Sequence, residues 1–188
     1  MIRLFYNYYE DTNPIRRKEI DFCLQKNLQN KFLNVIIIEQ QNKLTYNDFF
    51  NRINKVVADD ADISIICNSD IFFDETIELV NKIESKQFFA LSRWDWFENH
   101  PAVLFNRQDS QDTWIMRGPV LNINGNFSLG KRGCDNRIAY EFEKGGYKVT
   151  NPSKTIKSYH VHSSNVRNYN FNDAVPGPYL SPFPTELL

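Results

Sequence analysis

The sequence predicts a single α/β domain built on a mixed, mostly parallel sheet with helices on its faces. Three observations carry that expectation. Short apolar runs alternate with segments of helical periodicity in a β-α-β-α-β-α order, which implies a parallel sheet. The runs are continuous rather than alternating, as strands buried on both faces are. The length, 188 residues, suits one domain with one sizeable core.

The elements follow in order. Arg3 to Tyr8 is an apolar, aromatic run that reads as a strand. Asn13-Pro14 offers a helix cap followed by proline at the first helical position, and Ile20, Cys23, Leu24 and Leu28 recur behind it at helical spacing. Leu33 to Glu39 is a β-branched strand. Thr45 with Asp48 resembles a capping box, and Phe49, Phe50, Ile53, Val56 and Val57 form the stripe of a second helix. Ile63 to Cys67 is the third strand, and Asp74 caps a helix carrying Ile77, Val80 and Ile83.

The second half is less regular. Phe88 to Ser92 reads as a strand, RWDWFENH as a polar-aromatic loop, and SQDTWIMRG as a further strand. The stretch NINGNFSLGKRGCDN is a loop, RIAYEFEKGGY a helix stopped by Gly-Gly, and KTIKSYHVHSS a last strand. We place the domain at residues 1–168 and an irregular Pro/aromatic tail at 169–188, where four prolines preclude regular structure.

Composition narrows the function. The net charge of −1, with no long basic run, counts against a nucleic-acid partner. No apolar stretch is long enough for a transmembrane segment, and no secretory signal is visible at the start. Three widely spaced cysteines suit a reducing compartment, so a cytoplasmic location is expected. Aromatic residues reach 14%, an excess that often lines sites gripping ring-shaped ligands.

Several residues are placed to do chemistry. Asn68-Ser69-Asp70 follows the third strand directly, at the ligand edge of a parallel sheet. A carboxylate and an amide oxygen there suit a hard cation bridging a diphosphate, or else simply form an Asx turn. His160 and His162 lie two apart on a strand and so share a face, where both could ligate a transition metal. Asp135, on a glycine-rich loop, is a competent helix cap or a base for a substrate hydroxyl. Asp112 has the same ambiguity, beside Trp114, an indole able to stack on a sugar ring. Arg93 reaches a phosphate or pairs with Asp95 or Glu98. Tyr6, Tyr8 and Tyr9 stack on a base or, as strand tyrosines favour, pack against helices.

The order IICNSDIFF, SQDTWIM, GCDNRIAYEFEKGGYKVTNPS and SYHVHSS resembles the GT-A-fold glycosyltransferases, in particular small enzymes of bacterial and phage polysaccharide loci. The resemblance covers roughly residues 1–168. It implies a Rossmann-like nucleotide-binding fold in which Asn68-Ser69-Asp70 stands for the DxD motif, with Asn in place of the first Asp. It further implies Mn²⁺ or Mg²⁺ held by Asp70 with His162 or His160. The donor, a UDP-sugar such as UDP-glucose, would meet Tyr6, Asn68, Ser69, Asp70, Arg93 and Arg167, and Asp135 or Asp112 would serve a saccharide or other hydroxyl acceptor. Apart from the resemblance, the tail from Asn165 either folds over the donor as a lid, using Arg167, Tyr169 and Phe171, or packs its Tyr/Phe/Pro content on a second subunit; Arg167 is read as part of a lid and the rest is left open.

Three other readings compete. A nucleotidyltransferase normally has a glycine-rich phosphate loop after the first strand, and NYYEDTNP has no glycine. A metallohydrolase needs more clustered ligands than His100 adds. A non-catalytic nucleotide-sugar or carbohydrate-binding module is kept open by Asn68.

Overall fold

The structure, a computed structural model, describes residues 1–163 and 172–188. In chain order its elements are β1 (Ile2–Tyr8), α1 (Pro14–Gln29), β2 (Asn34–Glu39), α2 (Tyr46–Val56), β3 (Ile63–Cys67) and β4 (Ile71–Phe73). A 3-10 helix (Glu75–Lys82) is followed by β5 (Gln87–Leu91), β6 (Trp94–Phe97), β7 (His100–Leu104) and β8 (Thr113–Arg117). The chain continues through α3 (Cys134–Lys144), β9 (Lys148–Thr150) and β10 (Ser158–Val161).

Six strands form one sheet in the order β2-β1-β3-β8-β5-β9. β1 pairs in parallel with both β2 and β3, and β5 pairs in parallel with β9. β8 alone runs against its neighbours, β3 and β5. The connection explains the reversal. β5 leaves at the carboxyl edge of the sheet, the β6–β7 hairpin stands at that edge, and no helix carries the chain back before β8 enters.

Helices cover each face of the sheet, and the caps of the first three match the expected chemistry. Asn13 accepts from the backbone N–H groups of Ile15 and Arg16, at 2.9 and 3.2 Å, with Pro14 in the first turn. Thr45 and Asp48 complete a capping box. Asp74 accepts from Thr76 N–H at 2.9 Å, although the helix it starts is 3-10 rather than α. Alternation along β1 splits the core. Phe5 joins Phe49, Phe50, Trp114 and Phe142 on the α2/α3 side, while Leu4 and Tyr6 join Ile77, Val80 and Ile115 on the other.

A second, four-stranded sheet, β4-β10-β6-β7, is built beside the carboxyl edge of the first. Three features here correct the sequence-based expectation. RWDWFENH is not a loop but contributes β6 and the start of β7, because backbone pairing with β10 and the hairpin turn override its polar side chains. IFF forms β4 against β10, and KVT forms β9, both too short to show a period. Residues 172–188 are irregular apart from one bridge between Asn151 and Pro184, yet they are tied to the body. Val175, Leu180 and Thr185 donate backbone bonds to Arg132, Asn136 and Asn151 at 2.9, 3.0 and 2.7 Å. No helix among the described residues is long and apolar enough to cross a membrane.

Candidate functional site

A cleft of about 810 Å³ opens where the carboxyl ends of β1 and β3 meet the start of β8, the N-terminus of α3 and the second sheet. Its lining includes Asn68, Asp70, Asp112, Asp135, His160 and His162. The site therefore lies at the strand ends, where such sheets bind ligands.

Asp70 is the centre of one wall. It is buried, and one oxygen, Oδ2, accepts from the Arg16 guanidinium at 2.7 Å and from His160 Nε2 at 3.1 Å. The other oxygen, Oδ1, is buried with no hydrogen-bond partner among the described residues. Burial would raise the Asp70 pKa, but His160 and Arg16 outweigh it and hold the carboxyl well below the usual carboxylate range. Burial would likewise lower His160. The Asp70 charge, and the hydrogen bonds to Asp70 and Asp95, raise it to about 9. His162 moves the other way, lowered by burial and by the charge on His160. The result is an ionised carboxylate, a protonated His160 and a neutral His162.

The two imidazoles share a face as their spacing requires, with ring centroids 5.1 Å apart and planes 18° from parallel. One donor atom from each of Asp70, His160 and His162 lies within 4.8 Å of the others. His162 Nδ1 is buried without a partner among the described residues, as Asp70 Oδ1 is. A cluster that includes a carboxylate with one unpartnered oxygen and a neutral imidazole with one unpartnered nitrogen fits a divalent cation such as Mn²⁺. His160 joins that set by releasing the proton it shares with Asp70; otherwise it braces the carboxylate.

Asp112 and Asp135 stand elsewhere in the cleft and differ in kind. Asp112 is buried and engaged, accepting from Asn68 Nδ2 at 2.6 Å and from Arg93 at 3.1 Å. Arg93 also holds Asp95 at 2.8 Å, the partner expected for it, and Asp95 lies 3.5 Å from His160 Nδ1. These pairs make one network running from Asn68 to His160. Asp135 is not the helix cap. Gly133, at φ 77°, occupies that position with no side-chain cap, and Asp135 sits in the first turn, accepting from Gln111 N–H at 3.1 Å. Desolvation raises its pKa, the Gln111 N–H opposes this, the Asp112 charge adds to it, and the carboxyl comes to about 7.

Three expected contacts lie apart from the cleft chemistry. Tyr6 is wholly buried, and its hydroxyl donates to the backbone carbonyls of Ser69 and Ile20, so it packs against α1 rather than facing a ligand. Ser69 lines the cleft, but its hydroxyl donates to Asn7 O at 2.7 Å and ties β3 to β1. Trp114 is 1% exposed and packs edge-to-face on Tyr46, which leaves no indole face for a sugar. Arg167, with the proposed lid of Tyr169 and Phe171, lies outside the described residues.

Arg16 and Gln111, and the role of Asp95 beside His160, are what the sequence alone did not single out. Arg16 carried a signal: a cation in the first turn of a helix opposes the macrodipole. That signal marks the position as unusual without naming a partner, which the structure supplies in Asp70 and Glu19. Asp95 was legible as a partner for Arg93, two residues away, but not as a partner for His160, and Gln111 carried no signal, because those partners lie far away in sequence. Compared with protein-family models and with curated proteins, the chain matches none.

Proposed function

We propose that this protein is a metal-dependent glycosyltransferase that moves a sugar from a nucleotide-sugar donor, such as UDP-glucose, to a hydroxyl acceptor. The observation that carries the proposal is the pair of open donor atoms, Asp70 Oδ1 and His162 Nδ1, set across one cleft from a carboxylate that titrates near neutrality. The mixed sheet, with its site at the strand ends, is compatible with a GT-A-like arrangement. A bound Mn²⁺ or Mg²⁺ would supply positive charge to the departing nucleoside diphosphate.

The chain's own residues do the rest. Asp70 and His162 hold the cation, and Arg16 and His160 fix the Asp70 carboxylate from its other side. Asp135 takes the proton from the acceptor hydroxyl, a task suited to a base poised near the working pH. Asp112, bonded to Asn68 and Arg93, shapes the floor between them rather than acting as a base. Arg93 is a positioning residue for Asp95 and Asp112.

One observation favours a second reading, a nucleotide-sugar-binding module without turnover. The Asn68 amide is committed to Asp112, so the strand end offers one carboxylate where a DxD motif offers two. Calorimetry with UDP and UDP-glucose, with and without Mn²⁺, on the native protein and Asp70→Ala, tests both readings. Manganese-dependent binding abolished by Asp70→Ala supports a metal-diphosphate site, and sugar release or transfer then separates enzyme from module. No binding of either nucleotide with Mn²⁺ present would overturn both.

A further inference from the structure

The β6–β7 hairpin forms one wall of the cleft and carries Asp95, Trp96 and Phe97 into its lining. Trp96 is fixed from behind. Its ring packs on Phe22 and Phe72, with centroids 5.0 and 5.9 Å away, and Phe72 in turn stacks on Tyr159 at 5.0 Å. The hairpin therefore has a firm aromatic base. Phe97 is different, at 51% exposed. Of the large apolar side chains most exposed among the described residues, Phe97 is the one that also lines the cleft.

The backbone explains how it gets there. Asp95 pairs with Val103 and Phe97 with His100, so the ladder slips between them. An irregularity of this kind re-aims a side chain and recurs beside ligand sites. Phe97 also follows two residues after Asp95, whose carboxylate lies 3.5 Å from His160 Nδ1, so its backbone stands roughly 6.6 Å along the strand from that of Asp95.

A large apolar face left open to water inside a polar cleft calls for an occupant with one apolar face and a polar rim. A pyranose has both. Its axial C–H groups make a flat apolar patch that stacks on an aromatic ring, while its hydroxyls reach neighbouring carboxylates and amides. Asp109 and Ser110 line the same cleft and offer such groups. The base of a nucleotide could also stack on a ring. The part of the lining contributed after β1 and β2, however, rather than by the second sheet, carries Tyr9, Gln41 and Asn42, whose amides and phenol suit the hydrogen-bonding edge of a base.

We infer that Phe97 is the platform on which the acceptor stacks, and that the acceptor is a saccharide. The inference rests on the glycosyltransferase reading and narrows its acceptor from any hydroxyl to a sugar ring. Phe97 selects and places the acceptor; it takes no proton and touches no reacting bond.

Saturation-transfer NMR on the full chain tests this with methyl α- and β-glucosides and galactosides as probes, in the presence of UDP and Mn²⁺. At least one glycoside is expected to receive saturation, strongest at the C–H protons of one face. Phe97→Ala should weaken that binding by about tenfold or more, and Phe97→Trp should restore it. The UDP affinity should be the same in all three proteins. Absence of contact with every glycoside, or contact unchanged in Phe97→Ala, would overturn the inference while leaving UDP binding to judge the enzyme reading separately. A fall in UDP affinity in Phe97→Ala would overturn it as well, by assigning the ring to the base.

Discussion

Asp70 and His162 each keep one buried polar atom, Oδ1 and Nδ1, without a hydrogen-bond partner among the described residues, and with His160 the two side chains can bring one ligand atom each within 4.8 Å of one another. An unsatisfied buried acceptor costs about 1–3 kcal/mol, so two in one cluster are costly unless something completes them. A divalent cation does so. We expect Mn²⁺ titrations by calorimetry to show one site, lost in Asp70→Asn and in His162→Ala. His160, already bonded to Asp70 and Asp95, should behave as a brace, and His160→Gln should weaken the site by roughly 10–100-fold without abolishing it. Equal loss from both histidine variants would instead make His160 a ligand.

Arg16 supplies a second, independent test. Its guanidinium bonds both Asp70 and Glu19, at 2.7 and 3.1 Å, and its side chain is 10% exposed. Removing one member of a buried ion pair leaves an uncompensated charge, so Arg16→Met should cost roughly 3–5 kcal/mol in urea unfolding. A cation binding at Asp70 neutralises the same carboxylate. Added Mn²⁺ should therefore stabilise Arg16→Met more than it stabilises the native protein, by mass action on the folded state. An equal Mn²⁺ effect on both would disconnect Arg16 from the metal site.

The pairing of Asp70 with Arg16 also marks where the sequence stopped being legible. The continuous runs Leu33 to Glu39 and Ile63 to Cys67 announced buried parallel strands, and Asn13-Pro14 and Thr45-Asp48 announced helix starts, because each depends on neighbours in the chain. Asp70 and the two histidines were readable for the same reason, as residue types at strand ends. Trp94 to Phe97 was not. Its strand character comes from pairing with Ser158–Val161 and His100–Leu104, partners that composition does not reveal. Trp114 lies inside the apolar run TWIM and takes a core position rather than that of a sugar platform; the exposed ring that lines the cleft is Phe97.

Asp135 makes the site sensitive to pH, and the sign follows from its shift. The carboxyl titrates near about 3.9 in an unfolded chain. Folded, desolvation brings it to about 7. Between those values the folded protein holds a proton that the unfolded chain has lost, so stability falls as pH rises through that window and is level beyond it. Asp135→Asn should match the native stability near pH 4 and exceed it at pH 8, measured by urea unfolding. Under the proposed function, the same ionisation would create the base. Transfer activity should rise with pH through about 7 in the native protein, and Asp135→Asn should lower it by roughly 10²–10⁴-fold. A rate profile flat through that range would remove Asp135 from the reaction.

Asn68 offers the test in which resemblance and geometry disagree. Matching a DxD motif suggests that Asn68→Asp would improve metal binding by adding a second carboxylate. The structure argues the opposite. The Asn68 amide donates to Asp112 Oδ1 at 2.6 Å, and an aspartate there turns that hydrogen bond into a contact between two carboxylates. Arg93 sits beside Asp112 but is already shared with Asp95, so it compensates only part of the repulsion. One of the two carboxyls must then take up a proton or move away. We expect Asn68→Asp to lose about 1–3 kcal/mol in urea unfolding at pH 8, with the loss shrinking as the pH falls toward 5. Its Mn²⁺ affinity should be no higher than that of the native protein, because the added charge faces Asp112 rather than His162. Asn68→Ala separates the contributions: it loses the amide bond without adding charge, so its cost should show little dependence on pH. Tighter Mn²⁺ binding by Asn68→Asp at undiminished stability would mean that the strand end can turn toward Asp70, and that Asn68 belongs among the metal ligands after all.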